Sequence, residues 1–294
     1  MPPKKQGAAP TFEVGAPGFS PDVFGVQDRL AFRPSDLAPG DLKSAGLDLS
    51  AFTFDRIRTI DDPLFQIAHA ELWAEFGAKN EMERRETLAL RFSLAPRILY
   101  EMILVRRAGE FIGARDHTAI LSRDGAQAIV HLSHNLLAPA ARRTGLGGWM
   151  RAFPIQIARE CLAGKSAPIT LVAEMEHDDG IDPQRTIRLR AYEKAGLVKI
   201  DPQFVDFHQP DFRAPEDIDA SGGAQPVRFQ LVIRRVGFEH ETTIRGAEIR
   251  MLVQSLYDIY GPQFRPQDMA HPLLDLARLP PDDAVVPLLP PTQC

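Results

Sequence analysis

The sequence predicts an α/β (α+β) fold. A mixed, mostly antiparallel central sheet is flanked by helices, with an extra N-terminal segment and a C-terminal helix outside that unit. Two observations carry the prediction. Residues 100–137 read as three consecutive strands joined by the turns Ala108-Gly109-Glu110 and Ser122-Arg123-Asp124-Gly125, which makes this part of the sheet antiparallel. From residue 147 onward strands alternate with helical patterns, and such crossovers add a parallel component. A chain of 294 residues, 44% hydrophobic and 25% charged, supports a substantial core.

Residues 1–51 are rich in Pro, Gly and Ala and predict a partly irregular extension. Residues 52–60 read as a strand. Asp61, Asp62 and Pro63 then precede a helical pattern through Leu64, Ile67, Leu72 and Phe76. A second helix is expected over 81–90. The three central strands cover 100–107, 111–121 and 128–137. A helix over 147–162 is ended by Gly164, and 169–174 is a short buried strand with Pro168 at its start. A helix over 186–195 stops at Gly196, and strands follow at 197–200 and 227–236. A helix over 243–260 comes next, and the chain beyond Pro262 is Pro-rich. The division expected is an extension at 1–51, a domain at 52–240, and a C-terminal helix with a Pro-rich tail at 241–294. No internal repeat is visible.

Composition excludes several classes. The formal net charge is −5, from 34 Lys and Arg against 39 Asp and Glu, and nucleic-acid binding usually shows as a basic balance. No apolar run reaches the roughly 18 residues of a membrane span. No apolar stretch follows Met1-Pro2-Pro3-Lys4-Lys5, so no secretory signal is expected. Cys161 lies in a helical apolar pattern and Cys294 is at the C-terminus. They give no metal-ligand spacing and no structural disulfide, and a reducing, cytoplasmic setting is the expectation.

The stretch Leu136-Leu137-Ala138-Pro139-Ala140-Ala141-Arg142-Arg143-Thr144-Gly145-Leu146-Gly147-Gly148 is the most informative in the chain. A strand that opens through a Gly-rich turn into a helix N-terminus gathers backbone N–H groups, and the helix dipole favours negative charge there. A phosphate-bearing cofactor is the guest this chemistry selects. Two nucleotide patterns fail on spacing. A G-x-G-x-x-G fingerprint begun at Gly145 needs glycine where Met150 stands. A G-x-x-x-x-G-K-[ST] loop needs lysine where Trp149 follows Gly148. What remains is Arg142-x-x-Gly145-x-Gly147, with Pro139 three residues before the arginine. This resembles the pyrophosphate-binding motif of the GNAT N-acetyltransferase superfamily, Gln/Arg-x-x-Gly-x-Gly/Ala.

The segment Leu189-Arg190-Ala191-Tyr192-Glu193-Lys194-Ala195-Gly196-Leu197 resembles a second GNAT signature, Leu-x-x-Tyr-Glu-Lys-x-Gly-Phe. It lies one helix and one strand after the arginine–glycine turn, where that superfamily has it. The resemblance covers about residues 52–236 and includes the order of elements. Arg185 and Arg188 stand where the superfamily has Asn and Ala, and Leu197 replaces an aromatic. These departures bear on the substrate of the neighbouring cleft and leave the turn itself intact.

The resemblance implies acetyl-CoA as co-substrate and no metal. It places the pyrophosphate on Arg142, Arg143, Thr144, Gly145, Leu146, Gly147 and Gly148. Gly145 and Gly147, lacking Cβ, allow close backbone approach. The two arginines either add charge-assisted contacts or stay solvated. The resemblance further implies a backbone N–H near Leu137, in the Leu136-Leu137 pair, as donor to the acyl carbonyl. Tyr192 is implied as the acid that protonates the leaving thiolate, or as a residue that only positions the sulfur. An amine nucleophile, with a pKa of about 10.4 for a free lysine, also calls for a base. Aligning the 169–174 strand by its apolar residues puts Met175 at the position of a family glutamate. Glu174 and Glu176 flank it, with Glu174 the leading candidate, and His131, His134 and Glu101 are alternatives. The acidic run Glu174, Glu176, Asp178, Asp179 and Asp182 reads as a solvated loop or, if it lines the cleft, as a preference for a cationic substrate.

The function expected is acyl-CoA-dependent N-acyl transfer, most simply acetyl transfer to an amine by direct attack in a ternary complex. The acceptor is a small-molecule or peptide amine. A non-catalytic, regulatory CoA-binding module and a longer-chain acyltransferase related to the acyl-homoserine-lactone synthases are the alternatives. The helix over 243–260 carries Ile244, Ile249, Leu252, Leu256 and Tyr257 on one face. That face is expected either to cover the sheet edge or to form a homodimer contact.

Overall fold

The computed structural model describes residues 30–293. Most of the irregular extension expected at 1–51, namely 1–29, and Cys294 lie outside the described residues. Strands β1 (Thr53–Ile57), β2 (Ile98–Arg107) and β3 (Glu110–Leu121) form an antiparallel meander. Between β1 and β2, helices α1 (Phe65–Phe76) and α2 (Arg85–Phe92) pack Phe65, Leu72 and Leu88 onto Tyr100, Met102 and Leu104. The helix expected over 81–90 starts later than predicted. The Glu81 backbone carbonyl accepts from His134 Nε2 at 2.7 Å and the Glu83 side chain turns inward to Arg91, which holds 81–84 out of the helix.

The strand expected at 128–137 is two strands. β4 (Ala128–His131) pairs Thr118 with His131, whereas β5 (Asn135–Leu137) pairs Arg115 with Asn135. Three residues, Leu132-Ser133-His134, therefore oppose two, Asp116 and His117, which is a β-bulge. Asp116 pins it. Its carboxylate accepts the His134 N–H at 2.8 Å, and its own N–H donates to the His134 carbonyl at 3.2 Å.

The helix expected at 147–162 is also two, α3 (Leu146–Ala152) and α4 (Pro154–Cys161). Pro154 has no N–H for the Met150 carbonyl, but Phe153 stays helical at φ −51° and ψ −39°, so the axis is interrupted without the chain leaving the helix. Strand β6 (Ile169–Met175) lies parallel to β4, the one parallel pair among the described strands. Asp182 caps α5 (Pro183–Ala195) by accepting from Gln184 N–H at 2.8 Å, and Gly196 ends it in a left-handed conformation. β7 (Val198–Ile200), β8 (Phe207–Gln209), α6 (Pro215–Ala220) and β9 (Val227–Arg235) follow. β8 and α6 were not expected from the sequence, being too short for periodicity to register.

The C-terminal part departs most from expectation. Residues 243–245 are a strand, β10 (Thr243–Arg245), and α7 (Gly246–Tyr260) begins where a Cβ would stand 1.9 Å from the Pro281 carbonyl oxygen. The Pro-rich tail folds as α8 (Pro266–Arg278) and β11 (Val285–Leu289). Prolines that punctuate irregular chain elsewhere here start a helix, as Pro266 does, or sit in a strand, as Pro287 does. The sheet order is β1-β2-β3-β4-β6-β9-β7-β11-β10, with β5 on β3 and β8 on β9.

Helices α3, α4 and α5 cover one face of the sheet, with Ile155, Ala158 and Leu189 against Val130, Leu171 and Ala173. Helices α1, α2 and α7 cover the other, where Ile249, Leu252 and Leu256 pack near Ile129, Val172 and Ile233. The apolar stripe of α7 is thus buried within the chain. The turns at Pro39–Gly46 pack between α3 and α5. They fit closely: a Cβ at Gly40 would stand 1.6 Å from the Lys194 carbonyl oxygen, and one at Gly148 would stand 2.4 Å from Ser44 Oγ. Among the described residues no helix is long and apolar enough to cross a membrane.

Candidate active site

β4 and β6 stay paired only as far as His131 and Val172, with the Leu132 N–H donating to the Val172 carbonyl at 2.8 Å. Past the bulge β5 follows β3, while β6 follows β9 as far as Met175 opposite Gln230. The two strands part, and a cavity of about 250 Å³ opens at the divergence. It is lined by residues from both faces of the sheet. Side chains alternate along a strand, so its two walls come from different layers. Asn135, Ala173 and Met175 face the side of α3 and α5, which adds Arg151, Arg188 and Tyr192. His131, His134 and Glu174 face the side of α1, α2 and α7, joined by Phe76, Glu83, Phe212 and Tyr260.

One edge of β5 is unpaired with any strand among the described residues. The Ala138 N–H donates to the Ile112 carbonyl at 2.9 Å, and the His134 carbonyl accepts from Asp116, so even-numbered residues here face β3. The N–H groups of Asn135 and Leu137 therefore point to the divergence. Arg142 folds back to donate from Nε to the Leu137 carbonyl at 3.1 Å, which ties the turn to this edge. Arg143 takes a left-handed φ of 67° and Gly145 one of 102°, the latter immediately before α3. Thr144 Oγ1 closes the turn onto the Ala141 carbonyl at 2.8 Å. Gly147 meets only Leu137 and the Arg151 guanidinium, whereas Gly148 faces Asp41 and Ser44. Leu136 and Leu137 are half-buried, on opposite faces of β5, packing with the α1–α2 and the α3 clusters respectively.

The wall from α1, α2 and α7 is a buried polar network. Tyr260 Oη lies 3.0 and 3.1 Å from the two Glu174 oxygens and 3.4 Å from His131 Nε2. Burial pushes the Glu174 carboxyl up to about 8, and the neighbouring Glu83 carboxylate adds to the rise. Burial pushes His131 down to about 3, with Arg91 repelling its charge, so it is neutral. Burial also opposes charge on His134, yet Asp116 at 2.8 Å from Nδ1 outweighs it and holds the ring protonated up to about 9. Glu83 is bound by Arg91 through one oxygen, while Oε2 has no donor.

Tyr192 and Glu174 thus line one cavity from opposite faces. Glu176 lines it too, but Arg185 and Arg188 both bind it. Of the alternative bases, His131 and His134 line the cavity, and Glu101 does not. Glu101 is buried on the α4 side, where His117, Arg56 and Arg58 overcome burial and hold it at about 2. Asp178, Asp179 and Asp182 make local turn and cap contacts around the start of α5. Sequence reasoning did not single out Tyr260, Glu83, Asn135 or Arg151. Tyr260 carried a signal, since it continues the Ile249, Leu252, Leu256 stripe.

No protein-family model matches the chain, and no curated protein matches it. Solved structures to which it is similar include three acetyltransferases or GNAT proteins. One is Naa50 of Arabidopsis thaliana in complex with a bisubstrate analogue, at 11% identity over 63% of this chain and 98% of that one, with a TM-score of 0.39. Another is a tandem GNAT protein from the clavulanic acid biosynthesis pathway, at 20% identity over 60% of this chain and 52% of that one, with a TM-score of 0.38. A third is a glucosamine N-acetyltransferase region of a fungal multi-domain β-N-acetylglucosaminidase, at 16% identity over 57% of this chain and 20% of that one, with a TM-score of 0.37. The sheet is mostly antiparallel and parts beside its one parallel pair among the described strands, with Tyr192 at that parting and the Arg142–Gly148 turn between β5 and α3.

Proposed function

We propose that the chain transfers an acyl group from an acyl-CoA, acetyl-CoA being the simplest donor, to an amine by direct attack in a ternary complex. One observation carries the reading: a cavity where two strands of the sheet part is lined from one face by Tyr192 and from the other by the Glu174 carboxyl, which burial raises to about 8. The fit to CoA rests on the unpaired β5 edge, the turn at Arg142–Gly148 that it leads to, and the strain at Gly145 that glycine alone relieves. When bound, the acyl-CoA would supply an activated thioester.

The Leu137 N–H, aimed at the divergence, is placed to donate to an acyl carbonyl as negative charge develops on it. Glu174 takes the proton the amine must lose, and Tyr260 orients that carboxylate. Tyr192 gives a proton to the departing thiolate. Glu83 Oε2, buried and without a donor, supports an amine acceptor whose N–H it can accept. The cavity volume suits a thioester end and a small amine or a peptide N-terminus better than a bulky acceptor.

The test is thermal unfolding of the chain with and without CoA, followed by thiol release from acetyl-CoA across an amine panel with mass spectrometry of the products. A rise in Tm with CoA and acceptor-dependent thiol release are expected. No shift with CoA would overturn the reading. A shift without release from any amine would leave the non-catalytic alternative in its place.

A further inference from the structure

The cavity is closed at its acceptor end by a residue for which the transfer step described above has no use. On the α5 side its lining reaches the surface, where Ala191 is exposed and the Arg188 side chain half-exposed. On the α7 side Gln209, Phe212, Phe229 and Tyr260 line it, and all four are buried. The Phe212 ring lies 5.8 Å from the Tyr260 ring, centroid to centroid, and Tyr260 Oη holds the Glu174 carboxyl. Phe212 is thus one side chain removed from the group that takes the amine proton.

Behind Phe212 lies a second cavity of about 280 Å³, bounded by α2, α6 and α8. Among the described residues Phe212 is the one residue that lines both cavities. Phe264, which lines the second, stacks on it at 5.5 Å with the ring planes 12° apart. The chain on either side of Phe212 is tied down. Asp211, buried, accepts from the Gln225 N–H at 2.8 Å, the Arg213 N–H at 3.0 Å and Asn80 Nδ2 at 3.3 Å. The Arg213 guanidinium returns to the same carboxylate from Nη2 at 2.6 Å. One ring, fixed by its neighbours in sequence and by aromatic contacts, therefore separates the space beside Glu174 from a second of similar size. A close-packed ring of this kind does not yield to an extra methylene without a shift of its neighbours.

We propose that Phe212 fixes the length of the acceptor, which is a short primary amine whose apolar tail ends against this ring. The amine nitrogen sits at Glu174, and its tail lies among Phe212, Phe229 and Tyr260. Longer tails are refused because the ring stands between them and the second cavity. This deepens the acyl-transfer reading and rests on it. A purely structural Phe212 would carry stability and leave the choice among amines untouched.

The experiment measures kcat/KM for thiol release from acetyl-CoA by the full chain, with straight-chain primary amines from ethylamine to octylamine as acceptors. In the unaltered chain kcat/KM is expected to rise about fourfold with each methylene that the cavity buries. It is then expected to fall about tenfold or more at the first amine too long for it. Phe212→Ala is expected to move that break outward by about three methylenes, and Phe212→Leu, which keeps more of the packing, by about one. Only ratios between amines within one protein are compared, so a uniform loss from a disturbed Tyr260 cancels. A series that climbs without a break to octylamine in the unaltered chain overturns the inference even if neither variant folds. A break that stays in place in a folded variant overturns the assignment to Phe212. Thiol release from no amine of any length overturns the acyl-transfer reading itself, whereas release that ignores length overturns only the role of Phe212.

Discussion

The two walls of the cavity are chemically opposite. The wall from α3 and α5 carries the cations Arg151 and Arg188 with the Tyr192 hydroxyl, whereas the wall from α1, α2 and α7 carries Glu83 and Glu174 beside the Asp116–His134 pair. The first suits an anionic donor with a departing thiolate. The second suits an amine that must give up a proton as its bond to the acyl carbon forms. A continuous sheet keeps two such environments apart. Here one extra residue at Leu132–His134 lets them meet, so a register shift, and not a special side chain, creates the site.

Altering the first wall at its approach has the largest expected effect. Gly145→Glu forces a left-handed φ on a side chain and sets a carboxylate on the turn. CoA is expected to lose its effect on Tm altogether, at an intrinsic cost to the fold of about 1–2 kcal/mol, readable by denaturant titration.

Next comes the second wall. Glu174→Gln should lower kcat about 10²- to 10³-fold. On the proposed reading the parent chain should gain activity as pH rises through about 8, where Glu174 ionises, and the Gln variant should lack that limb. Tyr192→Phe should keep the limb and lower kcat about tenfold. If pH profiles show the limb persisting in the Gln variant, the base lies elsewhere.

Stability should follow the second wall too. His134 is raised from 6.5 to about 9, so its pairing stabilises fully below 6.5 and is lost as pH rises through 9. Glu174 is raised from 4.5 to about 8, so the unfolded chain gains by ionising across that interval while the native carboxyl does not. Both effects lower Tm between about pH 5 and 9. Calorimetry should find Glu174→Gln with a shallower fall than the parent.

The smallest effect is expected at the rim. Asp41 holds Arg151 through two hydrogen bonds at 2.7 and 2.8 Å. Asp41→Ala should cost about 1–2 kcal/mol, a Tm drop of a few degrees, while freeing a cation on the donor wall.

How much of this was legible depends on the range of each cause. The Arg142–Gly148 turn and the Tyr192–Gly196 segment are local spacings: the first forms a turn between β5 and α3, and the second ends α5 at Gly196. The bulge was hidden, because Ala128 to Leu137 reads as one apolar run and the register shift depends on Asp116, eighteen residues from His134. Glu174 emerged from an ambiguity about Met175 that alternation resolves. Met175 shares the α5 side with Leu171 and Ala173, which turns Glu174 to the side of Tyr260, eighty-six residues away. The strand in the Pro-rich tail has a related origin: β11 is held by pairing with β7 and β10, which no local pattern encodes.

The unpaired edge of β5 has a consequence for exchange with solvent. Amide hydrogens in the middle of a wide sheet are ordinarily among the slowest in a protein to exchange for deuterium, because only global unfolding releases them. The amides of Asn135 and Leu137 lie amid strands yet have no strand across from them. They make a fast-exchanging notch in a slow-exchanging sheet, and any ligand that docks its own carbonyl oxygens along that edge would close the notch.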